Sequence, residues 1–273
     1  ALLSRGYGRN TKGFRWVLED SDWSDVGDEP SLLKSLHPLH SIAVCEDRVL
    51  GIERIAKEKP EVKVVVLDDG LQHRALRPDL SVLLIDSERP LNKSSLLPGG
   101  DLRDLKSRAS KFDVWIYTRC HSDETVPEPS KSSSPQHVFS TYMSSSSKAL
   151  STVKKDSFKS EKPRVLAVSG IASPERFIDG LLDSWTVVRR QSYPDHYQFK
   201  SKDISDWVTC VRSEKLDGIV TTAKDAERIK PYTSALKGIP LVVIPIEVKW
   251  HQKEALEKRV DEWLQSTIFA KRN

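Results

Sequence analysis

The sequence predicts an α/β fold: a mostly parallel sheet flanked by helices, with a second, smaller α/β unit after it. Three observations carry that expectation. Short apolar runs of strand length alternate with stretches of helical periodicity. Several of these runs end in acidic or Gly-containing turns, and a Ser/Pro-rich segment separates one such series from another.

Taken in order, residues 41–46 read as a strand, 47–59 as a helix and 62–68 as a fully buried strand. Further strands are expected at 80–86 and 112–118. Between them lies a Pro/Gly/Asn/Ser-rich loop, 88–101, whose length is usual for functional or unstructured segments. From Cys120 to Lys162 the composition turns to Ser, Pro and Lys, too polar to offset the entropy of ordering, although a short strand at 138–142 is expected to interrupt it. The second series begins with a strand at 165–169 and a helix opening at Ser173-Pro174 and running to Leu182. Strands at 218–222 and 240–246 follow. An amphipathic helix at 252–267, with Leu256, Val260, Trp263 and Leu264 at helical spacing, closes the chain. The expected division is therefore 1–120, a linker or insertion at 121–162, and 163–273.

Composition narrows the function classes. With 38% hydrophobic and 30% charged residues, the 273-residue chain has the balance of a globular protein with a heavily solvated surface. Its longest apolar runs are strand-sized, far below the roughly 20 residues of a bilayer-spanning helix. The opening Ala1-Leu2-Leu3 passes directly into a charged turn, so no secretory leader is expected. Cys45, Cys120 and Cys210 are isolated, which suggests neither a disulfide framework nor a zinc site and points to a reducing compartment. A formal charge of +4 suits a phosphorylated substrate or an anionic membrane surface. It is too mild to argue for nucleic acid, and no aromatic-basic repeat accompanies it.

The strongest local signal is Val64-Val-Val-Leu-Asp68-Asp69-Gly70. An apolar strand ending in carboxylates places them at the carboxyl edge of a parallel sheet, where Asp orients Mg²⁺ in phosphate-handling enzymes. A simple strand-closing turn fits equally. In Gly27-Asp28-Glu29-Pro30 a carboxylate could accept the proton of an attacking hydroxyl, or Asp28 could cap a helix with Pro30 near its first turn. Pro194-Asp195-His196 offers an imidazole to tune a carboxylate, or an ordinary surface His. Thr221-Thr222-Ala223-Lys224-Asp225 could hold a nucleotide or phosphate, or be a helix cap followed by a solvated charge pair. Arg5, Tyr7 and Arg9 lie in a Gly-containing turn suited to a sugar-phosphate.

The ordered series LSRGYGR, DVGDEP, VVLDDGLQHR, LLPGGDLR, VSGIASPERF, YPDH and TTAKD, from Leu3 to about Glu247, resembles the tetraacyldisaccharide 4'-kinase family. The resemblance implies a P-loop-kinase-like fold that moves the γ-phosphoryl of ATP, with Mg²⁺, to the 4'-hydroxyl of a tetraacylated disaccharide 1-phosphate in lipid A biosynthesis. It makes Asp28 the general base and His196 its assistant. Asp68 and Asp69 become the acidic pair at the metal and phosphate site, with Glu29 and Asp104 as further metal candidates and Lys224 and Asp225 beside the nucleotide. Arg5, Tyr7, Gln72, His73, Asn92 and Arg103 are assigned to the phosphates and the disaccharide headgroup. The implied partner is a glycolipid, reached through peripheral contact at the cytoplasmic face of a bacterial inner membrane. The Ser-rich segment leaves a plant or algal organelle, or a mitochondrion, as an alternative.

The sequence departs from the family pattern in places. Arg89-Pro90-Leu91-Asn92-Lys93-Ser94 stands where a GFGNG-like stretch is usual, Asp104 where a Glu is common, and Tyr197 where a second His is common. The family carries a Walker A loop before LSRGYG, and no G-x-x-x-x-G-K-[ST] occurs in these 273 residues. Near-inactivity of this polypeptide by itself is therefore expected. A nucleotide-sugar transferase of two Rossmann-like halves and a non-catalytic headgroup-binding remnant are the rival readings.

Overall fold

The computed structural model describes residues 1–71, 73–91, 93–100, 102, 104–121, 137–145, 158 and 160–269. The chain forms two compact units, Ala1–Leu76 with Ser145–Ile246, and Arg77–Ser144 with Glu247–Asn273.

The first unit opens with β1 (Leu2–Ser4), β2 (Arg15–Val17), α1 (Trp23–Val26), α2 (Asp28–Leu36), β3 (Ile42–Val44), α3 (Arg48–Glu58) and β4 (Val66–Leu67). Its sheet runs β2-β3-β1-β4, with β1 parallel to both neighbours and β2 antiparallel to β3. The two-residue period of a strand explains how β3 serves two layers: Ile42 and Val44 pack with Val17 and Val26, while Ala43 packs with Leu3, Cys45 and Ile55. Asp47 caps α3 by accepting from the amides of Val49 (2.9 Å) and Leu50 (3.2 Å).

Residues 62–68 do not form the fully buried strand their apolar run predicts. The strand proper is Val66–Leu67, and Val66 is 57% exposed. The reason is its place: β4 is an edge strand paired to β1 alone, so burial on both sides is not available to it.

Next come β5 (Val82–Asp86), β6 (Val114–Thr118) and β7 (His137–Ser145), all in the second unit apart from the last residue of β7. The chain then returns to the first unit through β8 (Arg164–Ser169), α4 (Pro174–Asp179), β9 (Thr186–Ser192), α5 (Ser201–Ser213), β10 (Gly218–Thr222), α6 (Ala223–Ile229) and β11 (Leu241–Ile244). Finally β12 (Ile246–Trp250), apart from its first residue, and α7 (Lys253–Leu264) complete the second unit.

The sheet β11-β10-β8-β9 is parallel throughout. Val165 to Val168 are all at most 1% exposed, and they alternate between two cores. Val165 and Ala167 pack with Phe177, Leu181 and Trp185, whereas Leu166 and Val168 pack with Phe199, Ile204 and Trp207. Both faces are thus covered, which is why β8 reads as a continuous apolar run. In the second core, Trp207 donates its indole N–H to the Tyr193 hydroxyl at 2.9 Å. Burial pushes the Tyr193 phenol up to about 12. Tyr193→Phe would leave a fully buried indole donor unpaired, so it is expected to lower the unfolding free energy by about 1–3 kcal/mol. Because the folded phenol titrates above its unfolded value of about 10, its contribution is intact below that pH and is lost as pH rises through about 12. Urea unfolding at neutral pH and across that alkaline window tests both statements; an unchanged midpoint at neutral pH would contradict the first.

The sheet of the second unit runs β12-β7-β6-β5. This grouping differs from the linear division 1–120, 121–162, 163–273. β6 pairs with β7, which the sequence places inside a linker, and the C-terminal helix joins the same unit, Leu256 and Trp250 packing on Val114, Ile116 and Phe139. The remaining linker, 122–136 and 146–157, lies outside the described residues. None of the three cysteines is in a disulfide. Among the described residues no helix is long and apolar enough to cross a membrane.

Candidate active site

In the first unit the chemistry-bearing residues collect at the carboxyl ends of parallel strands, the edge at which open α/β sheets bind ligands. Ser4 ends β1, Asp68 follows β4, Gly170 follows β8, the 193–196 turn follows β9, and Thr222 ends β10.

Asp28 occupies the first position of α2, and the N-cap is Gly27 rather than Asp28. Gly27 has φ 98°, a conformation side chains rarely adopt, and a Cβ there would lie 3.3 Å from the Gly6 Cα. This close passage of two glycines lets the start of α2 rest against the turn that carries Tyr7. The Asp28 side chain is 5% exposed. Its Oδ1 accepts from the Glu29 amide at 2.9 Å, and its Oδ2 meets His196 Nδ1 at 3.0 Å, Arg228 Nε at 3.7 Å and Lys224 Nζ at 3.9 Å.

His196 sits in left-handed backbone, φ 58°, its amide donating to Asp195 Oδ1 at 3.0 Å. That turn aims the ring at Asp28. Its other nitrogen, Nε2, faces Lys224 Nζ at 3.3 Å. An ammonium can only donate, so these partners assign Nε2 as the acceptor and Nδ1 as the N–H that donates to Asp28. The Tyr7 ring, 69% exposed, stands 5.5 Å from the imidazole. Lys224 also meets Glu29 Oε1 at 3.1 Å and Asp195 Oδ1 at 3.6 Å. Carboxylates from α2 and from the turn after β9 thereby converge on one ammonium.

A second cluster gathers at β1, β3 and β4. Ser4 Oγ donates to Asp68 Oδ2 at 3.0 Å, and Asp69 adopts φ 48° and is exposed. Arg48, nearly fully buried, donates to the carbonyls of Cys45 (2.8 Å) and Asp68 (3.3 Å). Burial, then the nearby Arg5 charge, pulls the Arg48 guanidinium below its ordinary value, while Asp68 and Asp69 oppose this. Arg9, the second cation of the SRGYGR turn, is structural: it binds Glu46 Oε1 at 2.6 Å and the Gly13 carbonyl at 2.6 Å.

The sequence-based assignments divide accordingly. Asp28, His196, Lys224, Glu29 and Tyr7 come together, and Asp68, Asp69 and Arg5 form the neighbouring cluster. His73 stands off, its Nε2 4.0 Å from Asp47 Oδ1. Asp104 pairs with Arg108 in the second unit. Gln72, Asn92 and Arg103 lie outside the described residues. Among the described residues no three His, Cys, Asp or Glu side chains gather as a metal cluster. Asp225 requires a correction, because a fully buried carboxylate has no face left for a nucleotide. It accepts from the Gly170 amide (3.1 Å), Thr222 Oγ1 (2.7 Å) and Arg228 Nη2 (2.6 Å). Thr222 in turn caps α6 by accepting from the Asp225 amide at 3.1 Å. Sequence reasoning missed Arg228 and Glu227. The latter fastens α6 to α2 by accepting from Ser31 (3.1 Å) and Ser35 (2.8 Å), a long-range pairing with no local signal.

Comparison with known proteins adds independent findings. A family model described as tetraacyldisaccharide-1-P 4'-kinase matches residues 1–265. A tetraacyldisaccharide 4'-kinase of Cytophaga hutchinsonii is 30% identical over 270 residues, covering 94% of this chain and 75% of the relative. One from Porphyromonas gingivalis is 33% identical over 267 residues, covering 91% and 74% respectively. The crystal structure of the "apo" form of LpxK from Aquifex aeolicus in complex with ATP is similar to this fold, with a TM-score of 0.72 and 29% identity, spanning 96% of this chain and 78% of that one.

Proposed function

The chain belongs to the tetraacyldisaccharide-1-P 4'-kinase family, and from that premise we propose that it contributes the acceptor site for phosphorylating the 4'-hydroxyl of a tetraacyldisaccharide 1-phosphate, with ATP as donor. The observation that carries this reading is the Asp28–His196 hydrogen bond of 3.0 Å beside the exposed Tyr7, at the carboxyl edge of the sheets.

In this reading Asp28 takes the proton of the attacking 4'-hydroxyl as its oxygen bonds to the γ-phosphorus and the bond to the departing ADP oxygen breaks. His196, donating from Nδ1, fixes the carboxylate's direction. Lys224, held by Asp28, Glu29 and Asp195, adds positive charge close to the developing negative charge. Arg5 and Tyr7 would contact the substrate's sugar and phosphate groups. Asp68 and Asp69 would hold Mg²⁺, and adjacent carboxylates suit a cation that takes one or two of them and fills its shell with water and phosphate oxygens. Bound there, Mg²⁺ would neutralise charge on the transferring phosphates. The glycolipid acceptor brings the protein to a membrane surface at the cytoplasmic face.

Positioning is most of the catalysis in phosphoryl transfer, and none of the 273 residues forms a G-x-x-x-x-G-K-[ST] cradle. Residues 1–273 alone are accordingly expected to bind Mg-ATP only in the millimolar range or weaker. The same residues preceded by a strand and such a loop are expected to convert disaccharide 1-phosphate and labelled ATP to a 1,4'-bisphosphate. No labelled bisphosphate from the loop-bearing polypeptide would refute the proposed reaction, and micromolar Mg-ATP affinity of residues 1–273 by calorimetry would refute the role given to the cradle.

A further inference from the structure

Arg228 belongs to none of the motifs above, yet it is the charged group most deeply placed behind the candidate base. It is fully buried, with its guanidinium against the Phe199 ring, 5.8 Å from the centroid. Nη2 donates to Asp225 Oδ1 at 2.6 Å and to the Gly170 carbonyl at 2.9 Å, and Nη1 donates to the Tyr197 carbonyl at 3.2 Å. One side chain therefore ties together the turns after β8 and β9 and the start of α6. Those same segments present His196 and Lys224.

The remaining nitrogen, Nε, is buried and has no hydrogen-bond partner among the described residues. It lies 3.7 Å from Asp28 Oδ2. An unpaired buried N–H costs about 1–3 kcal/mol, so a guanidinium serving packing alone would be expected to use it. Here the planar fork is spent on Asp225 and the two carbonyls, and the edge left over faces the carboxylate.

We propose that Arg228 is a positioning residue for Asp28: clamped by Asp225, Gly170 and Tyr197, it presents a fixed cation to Oδ2 and holds the carboxylate in the orientation that receives the acceptor's proton. The proposal rests on Asp28 being the base. It assigns the second half of the TTAKD-led helix a mechanical task, with Asp225 as the anchor of the clamp and not a nucleotide contact.

Arg228→Lys is the discriminating substitution. A lysine ammonium can neutralise Asp225 or face Asp28, but it lacks the fork needed to do both. In the loop-bearing polypeptide, Arg228→Lys is expected to lower kcat about 10-fold or more with little change in KM, because small misplacements of a reacting group cost rate rather than affinity. In an Asp28→Asn background the same substitution should lower kcat less than about 2-fold further, since coupled residues are non-additive. Full kcat in Arg228→Lys, or an equal loss in both backgrounds, would overturn the proposal while leaving Asp28 as the base. If Asp28→Asn alone leaves kcat intact, both readings fall. Should Arg228→Lys not fold, the charge-balanced double variant Arg228→Met/Asp225→Asn takes its place. The kcat loss expected there is the same, and full activity would again overturn the clamp.

Discussion

Asp28→Asn in the loop-bearing polypeptide is expected to lower kcat by roughly 10²-fold or more, the usual range for lost general-base assistance. KM for the disaccharide should move little, because an amide keeps the shape of the carboxylate and one oxygen that can accept from His196 or from the Glu29 amide. The geometry makes this a sharp test. Asp28 is not the N-cap of α2, since Gly27 takes that position, so the substitution does not remove a cap. A variant with intact kcat and a lowered melting temperature would assign Asp28 a structural role and move the search for the base to Asp68 or Asp69.

Some of the elements that carry this site were legible in the sequence. Thr221 and Thr222 end an apolar run whose every residue is buried, and the strand lies where the run predicts it. The helix read at 47–59 is present as α3, with Asp47 as its N-cap. What the sequence leaves open is settled by distance along the chain. Whether Asp28 caps a helix or faces a histidine depends on His196, 168 residues away, and on the left-handed turn that aims it. Strand adjacency is equally non-local. Nothing in residues 114–118 says that they pair with 82–86 on one side and 137–145 on the other and not with β1 to β4. Arg228 offered one faint sign, its spacing of three from Asp225 on a helix, which ordinarily marks a solvated pair and not a buried clamp.

Asp225→Ala is the substitution with the largest expected effect on stability. It leaves the Arg228 guanidinium, 0% exposed, without its hydrogen-bonded carboxylate, and breaking a buried pair by removing one partner costs about 3–5 kcal/mol. The amide of Gly170 and the hydroxyl of Thr222 lose their acceptor in the same step. Burial pushes the Asp225 carboxyl above its ordinary value, while Arg228, Thr222 and Gly170 pull it down, so the ionised form depends on these partners. Against a typical total stability of about 5–15 kcal/mol, such a loss takes a large share. Chemical denaturation of residues 1–273 measures it directly. A loss below about 1 kcal/mol would mean that the clamp is not a stability element, as would be the case if water reached the guanidinium.

The most direct test of the account is a double-mutant cycle on kcat between Asp28 and His196 in the loop-bearing polypeptide. The two are joined by a hydrogen bond of 3.0 Å, and the proposed mechanism has Asp28 receive the proton while His196 holds it in direction. His196→Ala should then cost less than Asp28→Asn, and the double variant should fall well short of the product of the two single losses. Losses that multiply in full would mean that the two residues act independently, and would contradict the account.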